Sequence, residues 1–140
     1  MSANEAEGFL KEANVAILAS VDRRGRPHAA PIWYLYEDGV FVISTGRASQ
    51  KHRNIEANPN VTLVVDRRAL PYYAVMVHGS AEIGPALSPE ERLRLATRYL
   101  GEELARRYVE RRSGENAVSI RIRPRKTIEY EGRAGRTESR

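Results

Sequence analysis

The sequence predicts a mainly β, α+β domain: a six- to seven-stranded antiparallel barrel with helices at its ends. Three observations carry that prediction. Apolar, β-branched runs follow one another in hairpin order. An Asp-Gly pair at Asp38-Gly39 separates two of them, which is a strong two-residue turn signal. Helical periodicity is confined to one short segment after the third run and one long segment late in the chain. A doubly wound dinucleotide fold would need helices between successive parallel strands and a glycine-rich first turn, and the sequence has neither.

Taken in order, Ser2-Ala3-Asn4-Glu5 fits a capping box, which places a short helix ending near Lys11. Asn14 to Val21 is a nearly continuous apolar run, as expected of a strand buried on both faces. Asp22 to Pro27 is a turn in which Gly25 supplies positive φ. His28 to Tyr36 and Val40 to Thr45 flank Glu37-Asp38-Gly39, so the first three strands are expected to form an antiparallel meander. Pro31, which has no N–H to give to a ladder, marks a bulge or an edge in the second.

From Gly46 to Asn58 the period changes: Ala48, Lys51, Asn54 and Ile55 share one helical face, and Asn58-Pro59 stops the helix. Val61 to Val65 is a core strand. Tyr72 to Ile83 is a long one, expected to bend at Gly79. Ser88-Pro89-Glu90-Glu91 combines an N-cap, a first-turn Pro and a third-position Glu. The helix it starts carries Leu93, Ala96, Tyr99, Leu100 and Leu104 on roughly one stripe, with a break at Gly101 and an end near Arg112. Ala117 to Arg123 and Lys126 to Glu131 are two final strands. The expected organisation is one domain over residues 1–132 and a basic flexible tail over 133–140.

Composition narrows the function classes. The 140 residues are 41% hydrophobic and 29% charged, which is globular and gives no reason to expect a membrane partner. With no cysteine, disulfides, thiolate zinc sites, iron–sulfur clusters and Cys nucleophiles are excluded. No leader opens the sequence, and a cytoplasmic location is the expectation. The net charge of +5 is unevenly placed. Residues 121–140 hold seven basic side chains against three acidic ones, so the rest of the chain is nearly neutral. A basic tail of this kind reads as a solvated segment, and no nucleic-acid partner is expected.

Chemistry narrows it further. His28, His52 and His78 lie 24 and 26 residues apart, without the spacing that puts ligands on one helical face, so no metal site is expected. Gly46-Arg47-Ala48-Ser49-Gln50-Lys51 lacks the glycine that precedes the lysine in a phosphate loop. Ser20 and Ser44 sit in strands without flanking glycines, so a serine nucleophile has no support. What remains is Ser44 to Asn54. There a strand ends in two hydroxyls, a glycine turns the chain, and a helix begins with Lys51 in its early turns. Such a corner suits a phosphate, held by amides, dipole and ammonium. It equally suits a solvated basic helix capped by Ser49, and spacing alone leaves both readings open.

The order of an Asp-Gly hairpin, a strand ending Ser44-Thr45, then Gly46-x-x-Ser49-x-Lys51-x-x-Asn54-Ile55-x-x-Asn58-Pro59 and another strand resembles the FMN-binding split barrels of the pyridoxamine 5'-phosphate oxidase-like superfamily. Ala19-Ser20-Val21-Asp22, Gly25-Arg26-Pro27-His28 and Pro31-Ile32-Trp33-Tyr34 are similar to its branch that uses deazaflavin coenzyme F420 or FMN. The resemblance covers residues 5 to 85 well, and beyond them only in the order of elements. It implies that Ser44, Thr45 and Lys51 hold the cofactor's phosphate, supported by Arg53 and Asn54, with Ser49 and Gln50 as further candidates. It also implies that Pro31, Ile32 and Trp33 lie along the tricyclic ring. The implied activity is hydride transfer from reduced F420 to a small-molecule acceptor, with FMN as the alternative cofactor and a non-catalytic flavin or pigment carrier as the alternative class.

A homodimer is implied too, because the superfamily's cofactor sits at a twofold interface; Tyr72, Tyr73 and Tyr108 are candidate interface aromatics. Arg47, Arg53, Arg67 and Arg68 are available to meet the acidic tail of a deazaflavin. One departure stands out. The oxidase proper ends in an Arg- and Trp-containing segment that grips pyridoxal phosphate, whereas Trp33 is the sole Trp here, so vitamin B6 oxidation is not the expected activity.

Overall fold

In the computed structural model, which describes residues 3–112, 114–132 and 135–139, the chain begins with α1 (Ala3–Lys11) and the strands β1 (Ala16–Val21), β2 (Pro27–Ile32), β3 (Leu35–Glu37) and β4 (Val40–Gly46). After α2 (Gln50–Ala57) come β5 (Asn60–Arg67) and β6 (Tyr73–Gly84), then α3 (Pro89–Leu100) and α4 (Glu102–Arg111), and finally β7 (Ala117–Glu131) and β8 (Gly135–Ser139). The strands pair antiparallel in the order β2-β1-β5-β6-β7-β4-β3, with β8 pairing β7 off that path. No helix among the described residues is long and apolar enough to cross a membrane.

The expected barrel-like, mainly β architecture is present as a sheet curled into a half-barrel, but its second strand is not one strand. His28 to Tyr36 divides at Trp33-Tyr34 into β2, which pairs β1, and β3, which pairs β4 and lies at the opposite end of the sheet. The meander is therefore corrected to two separate hairpins joined by a crossing. Tertiary bonds replace the ladder at the break: the Tyr34 N–H donates to Tyr99 Oη at 3.1 Å, and Tyr34 Oη donates to the Leu10 carbonyl at 2.8 Å. Tyr34 is fully buried, and desolvation pushes its phenol well above the ordinary range. The edge that Pro31 announced is real, since β2 ends the sheet order.

The concave face holds the core, including Leu18, Phe41, Ile43, Leu63, Val75 and Ile120. Strand β1 alternates buried and half-buried positions, so its apolar run is corrected from two buried faces to one. The bend in β6 falls where expected, with a register shift between His78 and Gly79. A Cβ on Gly79 would lie 2.8 Å from the Arg123 carbonyl oxygen and 2.9 Å from Ile122 Cγ2, which is why only glycine fits. Pro124 stands opposite Gly79, and β7 runs unbroken past it, joining what the sequence divided into two strands. A residue without an N–H is tolerated because the ladder is already irregular there.

The Ser88 capping box is complete. Ser88 Oγ accepts from the Glu91 N–H at 3.1 Å, the Ser88 N–H donates to Glu91 Oε1 at 3.0 Å, and that backbone bond holds the Glu91 carboxyl below its usual range. Gly101 breaks the segment into α3 and α4 as expected. The apolar stripe needs correction: Leu95, Ala96 and Ala105 are buried, whereas Leu93 and Leu104 are exposed. Leu95 packs with Leu35, Val42 and Leu87 over the β3–β4 hairpin, and this rotates Leu93 outward. Residues 135–139, expected to be loose, run as backbone along β7; residues 133, 134 and 140 of the tail, and Ser2 of the first capping box, lie outside the described residues.

Candidate functional site

Strand β4 ends in Ser44-Thr45-Gly46, held in register against Ser119-Val118-Ala117 of β7. The chain then turns. The Arg47 N–H donates to the Asn116 carbonyl at 2.7 Å, Ala48 adopts a left-handed φ of 63°, and the Ser49 N–H donates back to the Gly46 carbonyl at 3.1 Å. Helix α2 therefore starts at Gln50, not at Gly46, and Ala48 lies outside the helical face assigned to it. Ser49 caps the helix, its Oγ accepting the His52 N–H at 3.2 Å and sharing a 3.0 Å hydrogen bond with Thr45 Oγ1.

Within α2, Asn54 is 1% exposed; its Nδ2 donates to Ser20 Oγ at 3.0 Å and its Oδ1 accepts from Gln50 Nε2 at 2.7 Å. Arg53 Nη2 donates to Gln50 Oε1 at 2.9 Å. The Asn54–Ser20 bond, with buried Ile55, pins the helix to the sheet, and the other two bonds run within α2. Lys51 is half-buried on the side facing a cleft of about 950 Å³.

Pro31, Ile32 and Trp33 form one wall of that cleft, and Ser44, Thr45, Gly46 and Lys51 form its floor. Arg92, Leu95 and Ala96 of α3, Tyr108, Arg111 and Arg112 at the end of α4, and the segment Gly114–Ala117 close the other side. Of the residues singled out from sequence, Pro31, Ile32, Trp33, Ser44, Thr45 and Lys51 are thus brought together, while Ser49, Gln50, Arg53 and Asn54 do not line the cleft. Trp33 is fixed from behind by Tyr99, whose ring lies parallel to the indole at 6° with centroids 4.7 Å apart. Tyr99 Oη in turn accepts the Tyr34 N–H and donates to the Asn14 carbonyl at 2.9 Å.

The electrostatics are cationic: Lys51, Arg92, Arg111 and Arg112 line the cleft against Glu115. Arg92 Nη2 donates to the Arg112 carbonyl and, at 3.4 Å, to that of Val109, bracing the end of α4. The Arg112 guanidinium sits 5.1 Å from the Tyr108 ring centre. The arginines expected here are elsewhere: Arg67 lies over Phe9, Arg68 is 3.7 Å from Asp66, and Arg47 and Arg53 are outside the cleft lining. Arg92, Arg111 and Arg112 were missed, although Arg106-Arg107 and Arg111-Arg112 stand as two basic pairs in the sequence. Tyr73 is 2% exposed in the core and so is corrected from an interface aromatic, whereas Tyr72 and Tyr108 are exposed. No group of three or more His, Asp or Glu that could hold a metal exists among the described residues.

The family model described as pyridoxamine 5'-phosphate oxidase matches residues 2–131. A pyridoxine/pyridoxamine 5'-phosphate oxidase of Anaplasma phagocytophilum (strain HZ) is 38% identical over 74 residues, 52% of this chain and 35% of that protein, so the match spans about a third of that relative's length. Among solved structures, a conserved hypothetical protein of Mycobacterium tuberculosis superposes with a TM-score of 0.77 at 27% identity, covering 95% of this chain and 86% of that one. An F420 reductase superposes with a TM-score of 0.72 at 28% identity, covering 86% of this chain and 94% of that one.

Proposed function

The chain belongs to the pyridoxamine 5'-phosphate oxidase family, and on that premise we propose that its cleft binds a flavin-type cofactor and that it acts as an oxidoreductase, passing hydride from reduced deazaflavin coenzyme F420 to a small organic acceptor. The observation that carries the reading is one cleft with an ammonium and two hydroxyls, Lys51, Ser44 and Thr45, on its floor and the Trp33 wall beside them. That donor set fits a phosphate at one end and a flat ring at the other. The cleft volume lies within the range of cofactor pockets.

Each residue has a part in this reading. Lys51 holds the phosphate through its charge, and Ser44 and Thr45 through their hydroxyls. Asn54 supports it indirectly by tying α2 to Ser20 of β1, Gln50 and Arg53 by a chain of bonds within α2 that leads to Asn54, and Ser49 by joining the helix start to Thr45. Pro31, Ile32 and Trp33 lie along the ring, where β2, as an edge strand, offers backbone groups that no neighbouring strand takes. A flavin or deazaflavin bound there supplies the hydride chemistry itself, so the protein's work is orientation, anion binding and exclusion of water. The additional positive charge of Arg92, Arg111 and Arg112 favours F420, with its acidic tail, over FMN. The working form in this proposal is a cytoplasmic homodimer, with a small-molecule acceptor and neither nucleic acid nor membrane as partner.

Fluorescence titration with F420 and with FMN tests the cofactor. Lys51→Ala is expected to weaken the affinity by about 1.5–3 kcal/mol, the scale of a hydrogen bond to a charged group, with the fold retained. Unchanged affinity would refute the phosphate role. Turnover is tested separately, by oxidation of the reduced cofactor with quinones and enones above the protein-free rate; tight binding without acceleration would make the protein a carrier.

A further inference from the structure

His52 follows Lys51 directly in α2, yet it turns away from the cleft and is 9% exposed. Its Nδ1 accepts the backbone N–H of Ala48 at 2.9 Å. That bond requires a lone pair on Nδ1, and Nε2 lies 3.8 Å from the Glu56 carboxylate. The amide it holds belongs to the residue whose φ of 63° is the one L side chains rarely adopt. Left to itself, Ala48 would relax toward negative φ, swinging its N–H and the start of α2 relative to β4. His52 also supplies the backbone N–H that Ser49 Oγ accepts, and Ser49 Oγ bonds Thr45 Oγ1. One residue therefore grips both sides of the turn that separates the Thr45 hydroxyl from the Lys51 ammonium.

We propose that His52 is a positioning residue for the anion end of the cleft: by accepting the Ala48 amide it holds the turn that sets Thr45 and Lys51 at the spacing a phosphate group needs. The inference rests on the reading of the cleft as a cofactor site. It goes beyond that reading in making affinity depend on a side chain that does not line the cleft at all. The energetic logic is preorganisation: two donors already fixed lose little freedom when the anion arrives, and two donors on a relaxed turn must first be ordered.

The test uses His52→Leu, which keeps apolar bulk and removes the acceptor, and His52→Asn, whose Oδ1 can accept the same amide. His52→Phe also removes the acceptor while keeping a flat ring at the buried position. Affinities for F420 and FMN are read by fluorescence titration after circular dichroism confirms the fold. His52→Leu and His52→Phe are expected to raise Kd about tenfold, His52→Asn to stay within about threefold of the parent, and His52→Leu to add little in a Lys51→Ala background. Folded His52→Leu or His52→Phe protein that binds like the parent overturns the proposal, as does a His52→Leu loss that is fully additive with Lys51→Ala. If Lys51→Ala weakens binding and His52→Leu does not, only the positioning role fails. If Lys51→Ala also has no effect, or the parent binds neither probe, the cofactor reading itself fails and this inference with it.

Discussion

Replacing Asn54 with Ala should be among the costliest single changes outside the apolar core. The side chain is 1% exposed and its partner Ser20 is 2% exposed, so neither can turn to water when the other is lost. Asn54→Ala removes the 3.0 Å bond to Ser20 Oγ and the 2.7 Å bond from Gln50 Nε2, and leaves the Ser20 hydroxyl buried without its donor. A lost hydrogen bond contributes about 1 kcal/mol and a stranded buried hydroxyl about 1–3 kcal/mol, giving roughly 2–4 kcal/mol in total. For a chain of this length that is a fall in melting temperature of about 8–15 °C. Urea unfolding of the parent, Asn54→Ala, Ser20→Ala and the double variant forms a cycle, measured at equal protein concentration. The double variant should be less destabilised than the sum of the singles by about 1–2 kcal/mol, because removing both partners strands neither. A single-variant loss below about 0.5 kcal/mol, or additivity within about 0.3 kcal/mol, would refute the assignment of this pair as the pin between α2 and β1.

Three further outcomes are expected. Gly79→Ala should lower stability by about 1–3 kcal/mol in thermal unfolding, because its methyl meets the Arg123 carbonyl at 2.8 Å; an unchanged midpoint would show that the bulge can relax. Ser88→Ala removes the hydroxyl that accepts the Glu91 N–H, leaves the backbone half of the box in place, and should cost about 1 kcal/mol by the same measurement. Glu129 is buried, and desolvation raises its carboxyl above the ordinary range, with Glu131 adding to the effect. The folded state therefore holds the proton more readily than the unfolded one, and the ionised form costs stability at neutral pH, a cost that fades as pH falls through the raised value. Glu129→Gln should melt above the parent at pH 7.5, the gap closing toward pH 4.5; a gap independent of pH would contradict this sign.

Local chemistry was legible wherever one short segment determines it. The Asp38-Gly39 hairpin, the bend at Gly79, the Ser88 capping box and the break at Gly101 all stand where the residues put them. The division of His28–Tyr36 was not legible, because its cause is distant: the Tyr34 N–H leaves the ladder for the hydroxyl of Tyr99, 65 positions away. The same applies to the cleft. Its strand-end floor can be read from Ser44 to Lys51, but its far wall depends on how α3 and α4 pack, and Leu95 facing inward in place of Leu93 is what brings Arg92 and the end of α4 over it. Asn54 and Lys51 share a predicted helical face, yet one is sealed against Ser20 and the other faces the cleft, a difference of rotation that periodicity does not resolve.

That rotation is also what makes Lys51 available. Around the start of α2 the neighbouring polar side chains are already engaged: Ser49 with Thr45 and the His52 amide, Gln50 with Asn54 and Arg53, Asn54 with Ser20, and His52 with the Ala48 amide. Among the described residues Lys51 makes no ion pair, though it is half-buried beside two hydroxyls and in the same cleft as three guanidinium groups. With Glu115 as the one acidic side chain lining that cleft, the balance of charge there suits an anionic ligand. Nothing in the packing of α2 requires a lysine there, since Ile55 and Asn54 already pin the helix to the sheet. In the proposed function, the charge at position 51 therefore serves an anionic ligand and not the stability of the fold.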